Sequence, residues 1–413
     1  MLCKSLVLVY AGLSLRAGQE GSTSEPWNGD SFGGHLVSVS DVNGDSVPDL
    51  AVADELHNEG EGREGAVWLL SGADGSVLWA IAGKCQECQL GRQLVGLENV
   101  NGAGFDELAV LGWKERDQLV VLSTKDGRPR AEKLLDSSIV SLAGTSDIDG
   151  DAVPDLLVAS IRAGAGRVQI LSGRTLELIR EASEGLPTPM IGTSLAAIGD
   201  VDRDGVPDFV VAGGERVCAF SGADAHALFD IRAPEGRIGF GRRVWSAGDV
   251  DQDSFCDIAV SSQGPIPADP TRQQTSGAHL TIFSGQTGKE IYTLSGGIAG
   301  AFGFSFAVLG DYDGDGIEEI AVGAGEAAFA GDLFVYSGAS GKLLARLESD
   351  SRRAMGFGSV ICPIGDIDQD GLLDFAVGCT RVDIRGNGLV QVRSGKGGGL
   401  LREYAKQDLV EAR

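Results

Sequence analysis

An acidic nine-residue loop recurs seven times along this chain, starting at Asp41, Asn99, Asp147, Asp200, Asp249, Asp311 and Asp366, at intervals of 48 to 62 residues. The last copy, Asp366-Ile-Asp-Gln-Asp-Gly-Leu-Leu-Asp374, carries carboxylates at positions 1, 3, 5 and 9 and runs straight into Phe-Ala-Val-Gly. A regular period with variable insertions points to one supersecondary unit repeated by stacking or around an axis, not to unrelated domains.

Each unit holds four short apolar runs. The first is opened by a large apolar residue and Gly nine residues before the loop: Phe32-Gly33, Leu90-Gly91, Ile191-Gly192, Phe240-Gly241, Phe302-Gly303 and Phe357-Gly358, with Ser138-Ile139 in the third unit. The second follows the loop, as in Leu50-Ala-Val-Ala53 or Ile320-Ala-Val-Gly323. The third ends in a small-residue turn, Ser71-Gly72, Ser123-Thr124, Ser172-Gly173, Ser221-Gly222, Ser284-Gly285, Ser337-Gly338 and Ser394-Gly395. A fourth piece, such as Val77-Leu-Trp79 or Leu343-Leu-Ala345, completes the unit. None of these runs keeps a 3.6-residue period for three turns, and Gly, 62 of 413 residues, interrupts them all. The expected fold is all-β, a seven-bladed β-propeller of four-stranded antiparallel blades. A parallel β-helix also tolerates repeated Asp and Gly, but its rungs are usually much shorter than these units. The ring can close through Leu400–Tyr404 as the last blade's own outer strand or through residues near Trp27, and the sequence leaves both open.

Oxygen ligands at positions 1, 3, 5 and 9 suit a hard cation, and calcium better than magnesium, whose tighter octahedral shell keeps more water. The expected metal ligands are Asp41, Asn43, Asp45 and Asp49 in the first loop; Asp147, Asp149, Asp151 and Asp155 in the third; and Asp200, Asp202, Asp204 and Asp208 in the fourth. The fifth offers Asp249, Asp251, Asp253 and Asp257, the sixth Asp311, Asp313, Asp315 and Glu319, and the seventh Asp366, Asp368, Asp370 and Asp374. In the second loop Asn99, Asn101 and Glu107 remain, but Ala103 removes the position-5 carboxylate, so that site is expected to be weak or empty. Gly at position 6 of several copies relieves the turn round the ion, and Pro48, Pro154 and Pro207 at position 8 stiffen the return. These positions hold 24 of the chain's 59 acidic side chains, and six divalent ions would move the formal charge from -25 to -13. Without ions the clustered carboxylates repel one another, so binding is expected to couple to folding.

The acidic balance argues against a nucleic-acid partner. Residues 1–17, with Lys4 ahead of an apolar run from Leu6 to Leu15, read as a signal peptide, the competing reading being a buried N-terminal strand. Residues 18–31 form an N-terminal segment, 32–404 the propeller and 405–413 a tail, with no other window long enough for a membrane helix. Cys85-Gln-Glu-Cys88 reads as a local disulfide or two inert thiols. Cys362 and Cys379 flank the last loop almost symmetrically, and a hairpin would set them opposite each other, in reach of a bridge.

The recurring Phe-Gly opening, acidic nonapeptide and Ala-Val-Gly strand together resemble the FG-GAP repeats of integrin alpha subunits and their bacterial relatives, over about residues 32 to 404. The resemblance implies a seven-bladed propeller with calcium in the loop between the first two strands of a blade. The expected function is a calcium-binding extracellular recognition or adhesion module, with calcium in a structural role, in a protein that is secreted, periplasmic or associated with the cell surface. Antiparallel connectivity puts the loops between strands two and three on the face opposite the acidic loops. The longest of these are Asp54–Gly65, with His57, Glu59, Glu61, Arg63 and Glu64, and Ser262–Gly277, with Pro265, Pro267, Pro270 and Arg272; Trp113 and Lys114 occupy the same turn of the second unit. An extracellular protein or glycan partner is expected on that face. The alternative is a polysaccharide lyase or glycoside hydrolase on the same scaffold. Against it, His35, His57, His226 and His279 fall in different units without metal or triad spacing, and every strong acidic cluster has a calcium reading.

Overall fold

The computed structural model describes residues 31–58, 62–97, 106–162, 164–182, 194–263, 277–296, 301–325, 331–349, 354–382 and 388–406, with Leu409. Seven four-stranded sheets are present, each made of four strands consecutive in sequence and paired antiparallel. Blade 1, for example, consists of His35–Val39, Asp49–Asp54, Ala66–Leu70 and Val77–Ala82, with His35 opposite Ala53 and Leu50 opposite Leu70. The chain is a seven-bladed all-β propeller, as the repeats require.

Burial follows strand position. Second strands such as Leu50–Ala53 and Ile320–Gly323 are buried on both faces, because a blade interior is covered by a neighbour on each side. That is why they read as continuous apolar runs rather than alternating ones. Outer strands alternate towards solvent, as in Pro129–Leu134 and Leu343–Glu348. The apolar clusters lie between blades: Val37, Ala51 and Leu69 of blade 1 pack with Leu94, Leu108 and Val120 of blade 2. Phe357, Phe375 and Val377 of blade 7 pack with Leu309 and Leu333 of blade 6. First strands pack from blade to blade around the axis, and those of blades 7 and 1 meet. The Gly of the Phe-Gly opening is left-handed, φ 82° at Gly33, and a Cβ there would come within 2.9 Å of Val390 Cγ2 in blade 7.

The last sheet answers the closure question. Leu400–Ala405 is blade 7's own outer strand, and Trp27 lies outside the described residues. The contact closing the ring repeats the one joining other blades, an outer-strand side chain reaching a turn carbonyl of the next blade. Trp79 Nε1 donates to Thr124 O at 2.5 Å, Tyr292 OH to Gly338 O at 2.5 Å, Arg180 to Gly222 O, and Arg402 of blade 7 to Gly72 O of blade 1. Beyond the strand, Lys406 Nζ lies 2.7 Å from the buried Asp54 Oδ2 of blade 1, and Leu409 is buried in the cluster shared by blades 1 and 7.

The expected Cys362–Cys379 bridge is not formed. Register pairs Cys362 with Ala376 and Cys379 with Phe357, so the two thiols are not opposite each other, and both are buried and outside any disulfide. Cys85 and Cys88 are disulfide-bonded, which resolves the two readings of that pair.

Candidate metal centres and the opposite face

Each described acidic loop is wound by its own backbone amides. In the first, Asp41 Oδ1 accepts from the amides of Gly44 and Asp45 (2.6 and 3.1 Å) and Oδ2 from Ser46 (2.7 Å), while Asp45 Oδ1 accepts from Val47 (2.9 Å). The pattern repeats in the others, as at Asp147 with Gly150 and Ala152 and at Asp366 with Asp370 and Gly371. Closing the loop this tightly takes two left-handed residues. Position 6 is left-handed as expected, including the non-glycines Ser46 (φ 71°), Ala152 (68°) and Ser254 (75°). Position 4 is left-handed too, at Gly44, Gly150, Arg203, Gln252, Gly314 and Gln369. Sequence reasoning missed this because Arg and Gln there hide the backbone requirement.

Outside blade 2, the position-9 acids are fully buried at the head of the second strand. Asp49, Asp155, Asp208, Asp257 and Asp374 each take the position-2 amide on Oδ2 at 2.7–2.9 Å and the amide of the Ser-Gly turn on Oδ1 at 2.9–3.1 Å. The loop is thereby clamped to the turn between strands three and four of the same blade. Glycine is needed in that turn: a Cβ on Gly72, Gly173, Gly222 or Gly285 would lie 1.8–1.9 Å from the position-8 carbonyl oxygen. Burial pushes these carboxyls up, Asp155 and Asp208 to about 6 and Asp257 and Glu319 to about 7, against the backbone hydrogen bonds that favour the charged form.

Ligand oxygens converge within 4.8 Å of one another in five loops: Asp147, Asp149 and Asp155; Asp200, Asp202 and Asp208; Asp249, Asp251 and Asp257; Asp366, Asp368 and Asp374; and all four of Asp311, Asp313, Asp315 and Glu319. Several acidic clusters could therefore hold a metal ion. In the first four of these the position-5 acids stand outside the convergent set. Asp151 pairs with Arg174 at 2.9 Å, and Asp204 and Asp370 face the hydroxyls of Ser221 and Ser394 (3.4 and 3.5 Å), while Asp253 accepts the Phe255 amide. In blade 1 the Asn43 amide donates to Asp45 Oδ2 (2.8 Å), as does Ser71 Oγ (3.1 Å). The sixth loop fits an ion best. Glu319 Oε2 accepts the Tyr312 amide, while its buried Oε1 has no hydrogen-bond partner among the described residues. The donor set is all hard oxygen, the chemistry of calcium or magnesium.

In blade 2, Asn99, Asn101 and Ala103 lie outside the described residues. Glu107 is described and its carboxyl is pushed up by burial. Thr124 replaces the turn Gly and instead bonds the position-8 carbonyl of Asp106 through its amide (3.2 Å) and hydroxyl (2.6 Å).

On the opposite face, His57 is not a solvated loop residue: it is buried, edge-on to Trp68 at 5.9 Å. Glu59, Glu61, Pro265, Pro267, Pro270 and Arg272 lie outside the described residues. Trp113 is 41% exposed at the hairpin of blade 2, with its amide held by the Cys88 carbonyl at 2.5 Å. It lines a cleft of about 630 Å³ with Arg116, Asp136 and Arg162. Arg116 pairs with Asp136 at 2.6 Å. The partners of Trp113 come from separate turns and carry no sequence signal.

Comparison with known proteins agrees with the repeats. The FG-GAP repeat family matches residues 32–70 and the FG-GAP-like repeat family residues 147–211. Integrin alpha-5 of Xenopus laevis is 29% identical over 232 residues, 49% of this chain and 21% of that protein. Integrin alpha-V of Gallus gallus is 28% identical over 225 residues, again 49% of this chain and 21% of the relative. The chain is a propeller similar to the FG-GAP propellers of integrin alpha subunits. The chain matches only about a fifth of the length of those relatives. Its fold is also that of BBS1N, solved in complex with ARL6DN and soaked with mercury: TM-score 0.54 at 13% identity, covering 86% of this chain and 90% of that one.

Proposed function

We propose that this FG-GAP propeller is an extracellular recognition or adhesion module, secreted or held at the cell surface, whose acidic loops bind calcium in a structural role. The propeller spans residues 32–404, preceded by a signal segment at 1–17. Calcium occupies up to six loops through positions 1, 3 and 9, with position 5 joining where its side chain turns inward, and the second loop is weak or empty. No helix among the described residues is long and apolar enough to cross a membrane. The observation carrying the recognition half is the Trp113 cleft on the face away from the acidic loops, where a large exposed aromatic stands beside the Arg116–Asp136 pair and Arg162.

The calcium half is tested by stripping the protein, confirming removal by elemental analysis, and melting it with and without added calcium. Stripping should lower Tm strongly, and an unchanged Tm would sink this half. For recognition, a panel of matrix proteins and glycans is screened with wild type and Trp113→Ala. Loss of the selected partner by about tenfold or more, at unaltered Tm, is expected. Retained affinity would place recognition elsewhere.

A further inference from the structure

The chain carries a formal charge of -25, yet the opening of blade 5 reads Arg237-Ile-Gly-Phe-Gly-Arg242-Arg243. At the matching positions the other blades carry pairs such as Gly34-His35, Arg92-Gln93 and Phe304-Ser305. Arg242 and Arg243 line a small cleft with Ser261, Ser262 and Phe304, where the openings of blades 5 and 6 meet. This lies two to three blades from the Trp113 cleft and on none of the acidic loops.

Three observations give the cleft its chemistry. Arg243 is 6% exposed, its guanidinium stacked 3.8 Å from the Phe304 ring centroid and donating to the Phe304 carbonyl, so the planar fork is fixed before any ligand arrives. Ser262 is 4% exposed, and its hydroxyl has no hydrogen-bond partner among the described residues, a costly state for a buried donor that an acceptor in the cleft would relieve. Arg242 is exposed, and neither it nor Arg237 makes an ion pair among the described residues. The neighbouring carboxylate of Glu215 is turned to the amides of Gly239 and Phe240, at 2.8 and 3.0 Å. The hydroxyl of Ser261 is also engaged, with the Arg243 amide at 3.0 Å. Across the ring, burial and then the charge of Arg243 hold His35 down at about 3, so the histidine adds no positive charge of its own.

We propose that this cleft binds a single oxyanion group, with Arg243 and Arg242 supplying charge and Ser262 a hydroxyl donor. Its volume of about 50 Å³ exceeds the roughly 10–15 Å³ that one water needs and is too small for a sugar ring, so the occupant inserts only its anionic head. The head group belongs either to a free inorganic anion or to a sulfated glycan lying across the surface.

The test is calorimetric titration of the calcium-loaded full chain with sodium sulfate, a heparin-type hexasaccharide and its desulfated form, at constant ionic strength. Saturable binding of sulfate or of the sulfated hexasaccharide is expected, weakened by about tenfold or more in Arg242→Gln and in Ser262→Ala and unchanged in Trp113→Ala. Both diagnostic changes avoid the buried, stacked Arg243, so folding, read from Tm, should be intact. Equal affinity for sulfate and hexasaccharide assigns the site to free anions, and tighter binding of the hexasaccharide assigns it to a glycan. Absence of saturable binding by either, or binding untouched by both substitutions, overturns the proposal. Loss of partner binding in Trp113→Ala with sulfate binding intact keeps this site separate from the recognition cleft.

Discussion

At the scale of single residues, the acids of one loop do two different jobs. Position-9 acids are buried acceptors for two backbone amides, whereas position-3 acids such as Asp149 stand in solvent. Asp155→Ala should leave the amides of Ile148 and Gly173 without an acceptor. A loss of about 2–4 kcal/mol in denaturant unfolding is expected even in chelator. Asp149→Ala should cost under about 1 kcal/mol in chelator and show its effect only as weakened calcium binding. Equal losses for the two variants would mean that the position-9 acid is not the structural clamp. The sequence marked both residues as ligands of equal standing. Their difference arises from burial, which a spacing pattern does not contain.

At the scale of the loop and its turn, the raised position-9 carboxyl makes each of six units sensitive to pH. Unfolded carboxyls titrate near 4, while those of Asp155, Asp208, Asp257 and Glu319 are pushed up by burial to about 6 or 7. Between these values the native ion-free state holds more protons than the unfolded chain. Its stability from these groups is therefore present at low pH and lost as pH rises through 6 to 7. Calcium needs the same groups ionised, so its affinity should fall over the same window as pH drops. Tm of the stripped protein should rise from pH 8 to pH 5.5, and the extra Tm given by calcium should shrink. Parallel Tm curves with and without calcium across that range would contradict the linkage. The loop's acids and the Ser-Gly turn were both legible as recurring motifs. Their hydrogen-bonded union was not, because the two motifs are separated in sequence and meet only when the third strand returns beside the second.

At the scale of the whole ring, closure rests on side chains rather than on a shared strand. Arg402 repeats across the blade 7–blade 1 junction the contact that Arg180 makes between blades 3 and 4, and Lys406 adds an ion pair to the buried Asp54. Lys406→Ala should remove the cation facing the buried Asp54, which keeps its hydrogen bonds from Ser31 at 3.0 and 3.2 Å, and lower stability by about 2 kcal/mol, while Arg180→Ala should cost about 1 kcal/mol. Denaturant titration of the two variants separates them, and a negligible effect at Lys406 would mean the ion pair to Asp54 contributes nothing to ring closure. This junction joins residues more than 300 positions apart and so carries the longest loop closure in the ring.

The sequence by itself determined the number of blades, the four strands of each and the oxygen chemistry of the loops, because these are local patterns repeated until chance is excluded. Only the tertiary structure decided which loops bring ligand oxygens together, which strand edges the ring closes on, that Cys362 and Cys379 stay apart, and that Arg243 and Ser262 share a cleft. Each of these depends on register or on neighbours from another blade. A repeat fixes what every unit has in common, whereas the arrangement of units fixes what their differences can touch.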